Sequence, residues 1–280
     1  MSDIQSSAAV PPAPHETYRV RYPLKIRRLT VTRVVLLTPS MIRVTVAGPE
    51  LADFASRGHD DHVKLFFARP GEEAPSLPTF GPNGPVFAEG AEKPIARDYT
   101  PRRYDEATGE LDLDFAVHEA GPATDWATNA TVGSTLHIAG PRGSMIVPDD
   151  FDWYLLVGDD TALPAIARRL EELRPEAKVT VIVEVGSAED EYPLSSRAST
   201  DITWLHRGSA APGEGGLLDA AVAAFGLPEG EGFAWVATES DTAKRLRTIL
   251  VDTLGLPKQR VKASGYWKRG LVSYHDTHND

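Results

Sequence analysis

Residues 97–103 read Arg-Asp-Tyr-Thr-Pro-Arg-Arg, and the predictions of fold and function both start from them. In an extended strand, Arg97 and Tyr99 point to one face and Thr100 to the other. A guanidinium pairs bidentately with phosphate, an aromatic ring lies flat against a planar heterocycle, and a threonine hydroxyl hydrogen-bonds to a ring nitrogen. Together these are the needs of a flavin nucleotide. The alternative is an ordinary amphipathic strand with a charged outer face.

The residues around this stretch predict a β-barrel. Between residues 25 and 139, short segments rich in β-branched residues are separated by turns and by a long Gly- and Pro-rich loop at residues 69–94. We expect residues 96–103 to form one strand of a set of about six. Many short strands without a long helix favour an antiparallel Greek-key barrel that closes its own edges. We assign residues 20–147 to this domain.

The pattern changes after residue 148 to that of an α/β domain. Continuous apolar runs, typical of strands buried on both faces, alternate with amphipathic helical segments. Strands that alternate with helices indicate a parallel sheet, so residues 148–280 are assigned to a second domain. The predicted strands of this sheet are residues 153–157, 179–185, 202–206, 233–237 and 260–264.

The composition restricts which functions are open to the chain. It has 280 residues, a net charge of -11 and no cysteine. A nucleic-acid binder would need a basic face. Without cysteine, the chain has no disulfide, thiolate zinc site, iron–sulfur cluster or cysteine nucleophile. Redox chemistry would therefore have to come from a bound cofactor.

Hydropathy and the first residues of the chain predict a cytoplasmic protein. No run of about 18 apolar residues is present, so we expect no membrane insertion. The start of the chain is small, polar and proline-rich and has no apolar signal core. We expect residues 1–19 to be a disordered lead-in. We also expect a monomer, because no apolar helix face is left over.

The sequence His-Glu-Ala-Gly-Pro-Ala-Thr at residues 118–124 predicts an anion site. Gly121 permits a tight turn, and Pro122 suits the first position of a helix. The backbone N–H groups of Ala123 and Thr124 would then be free at the helix start, where a diphosphate could rest opposite Arg97. The alternative, a capped helix with nothing bound, stays open.

A nicotinamide site is predicted where the first two strands of the second domain end. Asp159, Thr161 and Ala162 lie in the turn after the first strand, and Glu184 stands at the end of the second, where a ribose-binding acid is expected. The turn lacks the G-x-G-x-x-G fingerprint. The acidic residues 189–191 disfavour a 2′-phosphate and favour NADH, although Arg197 could supply a counter-charge. A solvated acidic loop is the alternative.

The segment Gly-Tyr-Trp-Lys-Arg-Gly at residues 265–270 follows the last predicted strand. Its Trp267 could cover a flavin or order a nicotinamide. Lys262, Lys268 and Arg269 form a small basic cluster that could hold an anionic substrate by charge. In the alternative interpretation Trp267 belongs to the core and the cations are solvated.

Four of these segments, in this order, resemble the siderophore-interacting protein family of flavin-dependent ferric-siderophore reductases. They are R-D-Y-T-P-R at residues 97–102, H-E-A-G-P-A-T-D-W-A at 118–127, G-D-D-T-A-L-P-A-I at 158–166 and G-Y-W-K-R-G at 265–270. The resemblance covers residues 20–272. It implies a barrel and an α/β domain arranged as in ferredoxin reductases, with FAD held noncovalently between them.

The resemblance also implies roles for individual residues. Arg97 and Thr100 would contact FAD, and Tyr99 would pack on the flavin. The diphosphate or adenosine end would be received by His118 and the segment from Ala120 to Thr124. Arg102, in the first of these segments, is also expected to bind the cofactor. The basic residues near the flavin, here Lys262, Lys268 or Arg269, would receive the ferric siderophore.

The function implied by this resemblance is electron transfer from NADH or NADPH through FAD to ferric iron in a siderophore, which releases ferrous iron. No catalytic side chain and no metal ligand of the protein is predicted, because the cofactor carries the chemistry. Two alternatives stay open. One is a flavin reductase that uses or serves a protein electron carrier such as ferredoxin. The other is a noncatalytic siderophore-binding protein.

Overall fold

The first half of the chain forms a curled antiparallel sheet with accessory strands. The computed structural model describes residues 13–81, 84–88, 90, 92–117 and 121–271. In the first half, one helix, α1 (Pro122–Asn129), packs on the sheet. The strands are β1 (Tyr18–Arg21), β2 (Ile26–Thr38), β3 (Met41–Ala47), β4 (Val63–Phe67), β5 (Thr79–Gly81), β6 (Gly84–Val86), β7 (Ile95–Tyr99), β8 (Pro101–Asp105), β9 (Glu110–Ala116), β10 (Thr135–Ala139) and β11 (Gly143–Ile146).

The strand order explains why this sheet curls. Seven strands pair in the order β7-β4-β10-β2-β3-β9-β8, so β7 and β8 lie at opposite ends of the sheet. Only Thr100 separates these two strands in sequence. The sheet must therefore bend until its outer strands meet at this residue. The predicted antiparallel barrel is confirmed as a curled, half-barrel sheet.

The prediction of a single strand over residues 96–103 is wrong, because the strand is interrupted at Thr100. Pro101 has no N–H group to donate, so it is tolerated only at the start or edge of a strand. In the structure it is both the first residue of β8 and part of an edge strand. The predicted long loop at residues 69–94 also carries the short hairpin of β5 and β6.

The second half forms the predicted five-stranded parallel sheet. Its order is β14-β13-β12-β15-β16. Among the helices of the described ranges, none is both long and apolar enough to cross a bilayer. The strands are β12 (Trp153–Asp159), β13 (Lys178–Val185), β14 (Ser199–His206), β15 (Gly232–Glu239) and β16 (Val261–Trp267), and the helices are α2 (Leu163–Glu172), α3 (Leu217–Ala223) and α4 (Ser240–Thr248).

The described part of the expected lead-in is packed against the start of the second domain. The backbone N–H of His15 donates to Asp150 at 2.8 Å, and the imidazole stacks on Phe151 with 4.7 Å between ring centroids. Strand β1 then pairs with β11. Residues 13–19 therefore differ from the disordered segment that we expected. Residues 1–12 lie outside the described part of the chain.

Polar side chains of the barrel are buried against the second domain. Asp114, on the face of β9 that points away from the barrel core, accepts hydrogen bonds from Arg43 at 2.7 and 2.8 Å and from the Tyr192 hydroxyl at 2.6 Å. Arg168 of α2 donates to the Pro101 carbonyl at 2.9 Å and to Ser56. These bonds join the two halves at one end of the curled sheet's last two strands, where Pro101 of β8 lies opposite Leu113 of β9.

Arg102 completes this contact, and its replacement by alanine tests it. The guanidinium donates to both carboxylate oxygens of Glu171 at 2.6 and 3.0 Å and to Tyr192 at 3.2 Å. Because the Glu171 side chain is 42% exposed, water would replace part of the hydrogen bonding that its carboxylate loses when Arg102 is removed. We expect Arg102→Ala to lower the free energy of unfolding by about 2 kcal/mol in urea denaturation.

Arg103→Ala is the matched control for this variant. Arg103 is the next residue, its side chain is 45% exposed, and it pairs with Asp105. An exposed pair of this kind contributes less than about 1 kcal/mol. Equal losses of stability in the two variants would contradict a specific role of Arg102 between the halves.

Candidate functional site

Arg97, Tyr99 and Thr100 lie at the point where the two outer strands of the curled sheet meet. Arg97 and Tyr99 are on β7 and share a face by alternation, and Thr100 is at the bend with 7% of its surface exposed. The Tyr99 ring packs on Phe115 with 4.4 Å between centroids. Burial raises the pKa of the Tyr99 hydroxyl above its usual value. Tyr99 is therefore a neutral aromatic surface at the site.

Arg97 is a half-buried cation whose guanidinium donates a hydrogen bond to the protein backbone. Its Nη1 donates to the Ala96 carbonyl at 2.8 Å. The neighbouring Asp98 pairs with Lys64 at 2.7 Å, and across the described ranges no carboxylate lies within salt-bridge distance of Arg97. Burial lowers the pKa of this guanidinium. A cation held in this way has donors left for an anionic ligand such as a diphosphate.

The start of α1 supplies a second group of donors. Gly121 stands before the helix in an extended conformation, Pro122 is its first residue, and no side chain of the described residues caps the helix. Within those residues, the backbone N–H groups of Ala123 and Thr124 have no side-chain partner. His118 and Ala120, which we also predicted to bind the cofactor, lie outside the described residues.

Aromatic packing brings α1 and the motif strand together. Trp126 of α1 lies 5.7 Å from Phe115, the ring on which Tyr99 packs, and 6.0 Å from Phe67. The strand that carries Arg97 and the uncapped helix are thus anchored on one cluster of rings. The cation, the helix N–H groups and the Tyr99 ring suit two parts of a flavin dinucleotide, its diphosphate and its planar ring.

The predicted nicotinamide residues lie together at the carboxyl edge of the parallel sheet, but most are engaged with one another. Asp159 accepts from the Thr161 backbone and hydroxyl at 3.0 and 2.5 Å, from Thr238 at 2.7 Å and from the Trp267 indole at 2.8 Å. Ala162 is fully buried inside the turn. The side chains of Asp159 and Ala162 therefore support the backbone around the site and do not offer free groups to a ligand.

Glu184 is buried at the end of β13, with 3% of its surface exposed. Burial, reinforced by Asp159, raises the pKa of its carboxyl to about 7, while Arg207 and the Gly213 backbone act in the opposite direction. Arg207 pairs with Asp160 at 2.8 Å. Negative charge therefore dominates this edge of the sheet, which suits hydroxyl and amide donors better than phosphates.

Trp267 directly follows Tyr266, through which the end of β16 reaches Thr100 of the barrel. Its neighbour Tyr266 packs edge-on against Trp235 with 6.1 Å between ring centroids. Burial raises the pKa of the Tyr266 hydroxyl well above its usual value, and the Thr100 side chain hydrogen-bonds to it. A threonine hydroxyl offers one donor and two acceptor positions, so this bond leaves Thr100 capacity for a second partner.

The three predicted substrate-binding cations do not form a free basic cluster. Lys262 pairs with Asp60 at 2.6 Å, Lys268 with Asp241 at 3.6 Å and Arg269 with Glu214 at 2.7 Å. The prediction of Arg102 as a cofactor ligand also needs correction, because Glu171 and Tyr192 occupy its donors and its side chain is 7% exposed.

Sequence reasoning missed the segment 56–61, through which the barrel contacts the parallel sheet. Asp60 accepts from the Trp235 indole at 3.0 Å as well as from Lys262, and His59 lies edge-on to Trp235 at 5.2 Å. Burial lowers the pKa of His59 to about 3 and raises that of Asp61 to about 6. The polar run His-Asp-Asp-His before the apolar strand β4 was the available signal.

The fold and this site define a two-domain reductase of the ferredoxin-reductase type. A ferredoxin reductase of carbazole 1,9a-dioxygenase matches with a TM-score of 0.61 at 17% identity, over 88% of this chain and 70% of that one, which supports the fold. The model of the siderophore-interacting FAD-binding domain matches residues 30–145, and that of the siderophore-interacting protein matches residues 151–270. The chain belongs to the siderophore-interacting protein family.

Similar proteins of known name agree with this assignment. An NADPH-dependent ferric-chelate reductase of Escherichia coli (strain K12) is 38% identical over 91% of this chain and 97% of its own length. The ferric vibriobactin reductase ViuB of Vibrio cholerae is 33% identical over 89% and 93%. The crystal structure of a siderophore utilization protein from T. fusca has a TM-score of 0.87 at 40% identity, over 94% of this chain and 100% of that one.

Replacing Arg97 tests the anion site. Arg97→Ala removes charge-assisted hydrogen bonds, each worth about 1.5–3 kcal/mol. We expect the Kd for FAD to rise roughly 10- to 100-fold, measured by fluorescence titration of the apoprotein. Arg33→Ala is the matched control, since Arg33 lies on the same sheet with a 51% exposed side chain. An unchanged Kd in Arg97→Ala would rule out a phosphate contact.

Glu184 makes stability depend on pH in a predictable direction. Its pKa rises from 4.5 in the unfolded chain to about 7 in the fold. The folded state therefore holds a proton that the unfolded state releases, and this contribution to stability is lost as pH rises from 4.5 to 7. We expect Glu184→Gln to match the wild type at pH 5 and to exceed it by roughly 2 kcal/mol at pH 8.

Urea denaturation at both pH values measures this difference. Glu176→Gln, at an exposed position of the same domain, is the control and should change little at either pH. Equal effects of Glu184→Gln at pH 5 and pH 8 would mean that Glu184 is not protonated in the fold.

Proposed function

We propose that this protein is an FAD-dependent ferric-siderophore reductase that takes electrons from NADH or NADPH. The observation that carries the proposal is Arg97, a half-buried guanidinium without a carboxylate partner among the described residues. Its strand packs through Tyr99 on the same aromatic cluster as α1, whose start is uncapped. A protein that only bound an iron chelate would have no use for a diphosphate site. The names of the E. coli and V. cholerae relatives support the same activity.

The barrel, residues 20–147, would hold the cofactor. Arg97 and the backbone N–H groups of Ala123 and Thr124 would bind the diphosphate, and Tyr99 would support the ring system. Thr100 would hydrogen-bond to a ring nitrogen from a position fixed by the bend. FAD supplies the step from two-electron to one-electron chemistry. The protein's residues position it and exclude water.

The α/β domain, residues 148–280, would bind the electron donor. In open α/β sheets, ligands bind outside the carboxyl ends of the strands, at the point where the strand order reverses. Here that point lies between β12 and β15, beside Asp159 and Thr238. Trp267 would order the nicotinamide at the junction of the domains. The E. coli relative is NADPH-dependent by name, and a ferredoxin donor is the competing possibility.

The substrate would be a ferric siderophore, which the reduced cofactor would convert to the ferrous chelate. Ferrous iron binds hard oxygen ligands less tightly than ferric iron, so the metal would be released. Lys268, with a 33% exposed side chain, is the predicted cation best placed to meet an anionic chelate, since Lys262 is tied to the buried Asp60. We further propose that the protein acts as a cytoplasmic monomer.

A visible spectrum tests this function directly. The purified protein, loaded with FAD, is treated anaerobically with NADH and in parallel with NADPH, and a ferric siderophore is then added together with a ferrous trap. We expect bleaching by at least one nicotinamide, followed by recolouring with stoichiometric ferrous iron, two irons per nicotinamide. Ferric citrate is the control for nonspecific reduction of iron.

Other outcomes choose between the alternatives. A flavin that neither nicotinamide bleaches, but that reduced ferredoxin does, would establish a protein donor. A protein that binds the ferric siderophore but cannot be loaded with FAD would overturn the proposed reductase and leave a noncatalytic binding protein.

A further inference from the structure

A glycine-rich loop lies across the carboxyl edge of the parallel sheet. It comprises residues 207–216, Arg-Gly-Ser-Ala-Ala-Pro-Gly-Glu-Gly-Gly, between β14 and α3. Gly213 is its point of closest approach. A Cβ at this glycine would lie 3.3 Å from Glu239 Cβ, at the end of β15, and 3.3 Å from the Trp267 ring, at the end of β16. The loop therefore spans from the β14 side of the sheet to the opposite edge.

Polar contacts hold the loop in this position. The Gly213 backbone hydrogen-bonds to Glu184 at the end of β13. Arg269 donates to the Gly213 carbonyl at 2.5 Å and pairs with Glu214 at 2.7 Å. At the base of the loop, Arg207 pairs with Asp160, after β12. Four strand ends are thus connected to one loop.

The loop lies over carboxylates at the strand ends where a ligand would be expected. Asp159, Asp160, Glu184 and Glu239 stand at strand ends beside the point where the strand order reverses, yet each is only 3 to 5% exposed. A nucleotide approaching this edge would meet the loop first.

Opening of the loop would expose little apolar surface, so its free-energy cost is low. Apart from Arg207 at its base, whose side chain is 8% exposed, none of its residues is buried, so little apolar surface holds it down. Gly208, Gly213, Gly215 and Gly216 all have positive φ angles, a conformation in which glycine is unstrained and the backbone is free to change. Segments with few buried apolar contacts are the ones that open locally at low free energy.

We propose that loop 207–216 is a gate over the electron-donor site and that Arg269 is its latch. The proposal rests on the proposed function, because the ligand that displaces the loop is the nicotinamide dinucleotide. In the closed position the loop covers the acidic strand ends and the face of Trp267. Opening exposes Glu184 and its neighbours, which would accept hydrogen bonds from ribose hydroxyls and the carboxamide. Arg269 acts on the loop and not on the chelate.

A reversible cross-link tests the gate. The close approach of position 213 to Glu239 Cβ is near the Cβ–Cβ separation of a disulfide, about 3.8 Å. The chain contains no cysteine, so the double variant Gly213→Cys/Glu239→Cys would hold a single pair. In the FAD-loaded double variant, we expect oxidation to slow bleaching by NADH or NADPH at least tenfold. Bleaching by dithionite should be unchanged, and a phosphine reductant should restore the nicotinamide rate.

The single variants Gly213→Cys and Glu239→Cys are the controls, and oxidation should leave their rates unchanged. Equal nicotinamide rates in the locked and unlocked double variant would overturn the gate alone. Gly213 has a positive φ, so the single variants must first keep the wild-type flavin spectrum and melting temperature. If they do, failure of the two thiols to pair would contradict the closed position itself. If neither form, nor the wild type, is bleached by a nicotinamide, the proposed donor is wrong and the gate falls with it.

A latch variant provides a second measurement in the wild-type loop. If the loop is open only part of the time, the measured Kd of the donor is the intrinsic Kd divided by the open fraction. Arg269→Gln should therefore lower the Kd of the nicotinamide severalfold in stopped-flow titrations and leave the limiting rate of flavin reduction unchanged. Hydrogen exchange of residues 208–215 should accelerate in the same variant.

Arg245→Gln is the matched control, because Arg245 and Arg269 have equally exposed side chains, at 51%, and each pairs with one carboxylate. It should change neither the Kd nor the exchange. A higher Kd in Arg269→Gln would overturn the latch, since it would mean that Arg269 binds the donor directly.

Discussion

The bend at Thr100 and Pro101 is the constraint on which the rest of the structure depends. It joins the first and last strands of the curled sheet, and the same three residues, Thr100 to Arg102, carry contacts to the second domain through Tyr266, Arg168 and Glu171. The position of this bend therefore determines both how the barrel closes and how the α/β domain docks on it. The residues of β7 that we propose bind the flavin lie immediately before this point, so their positions follow from both.

Charge is distributed to match this geometry. The barrel side of the site offers a cation and free backbone N–H groups, whereas the carboxyl edge of the parallel sheet is dominated by buried carboxylates. A phosphate is attracted to the first surface and repelled by the second. The barrel side therefore suits a diphosphate, and the carboxyl edge suits the hydroxyl and amide groups of a ligand. Burial raises the pKa of Glu184 at this edge, whereas Arg207 and the Gly213 backbone, both in loop 207–216, act in the opposite direction.

The sequence was sufficient for the architecture and for the elements of the site, but not for the partners of its side chains. Alternation and buried apolar runs identify strands because these patterns follow from local geometry. The bend at Thr100 could be suspected from Pro101, whereas its position between the two ends of one sheet depends on pairing between distant segments. Arg102 and Arg269 carry the right charge for a ligand. Only the fold reveals that Glu171 and Glu214 already occupy them.

The contact between segment 56–61 and the parallel sheet has a consequence for how such proteins diversify. Asp60 of the barrel holds Trp235 and Lys262 of the other half, and Ser56 holds Arg168. A second domain that lacks a cation at the position of Lys262 would leave Asp60 buried without a partner charge, a cost of several kcal/mol. Recombination between such genes is thus penalised unless both sides of the junction are inherited together. The two halves are separate domains in their architecture. The charge pairs across their junction require that both halves be inherited together.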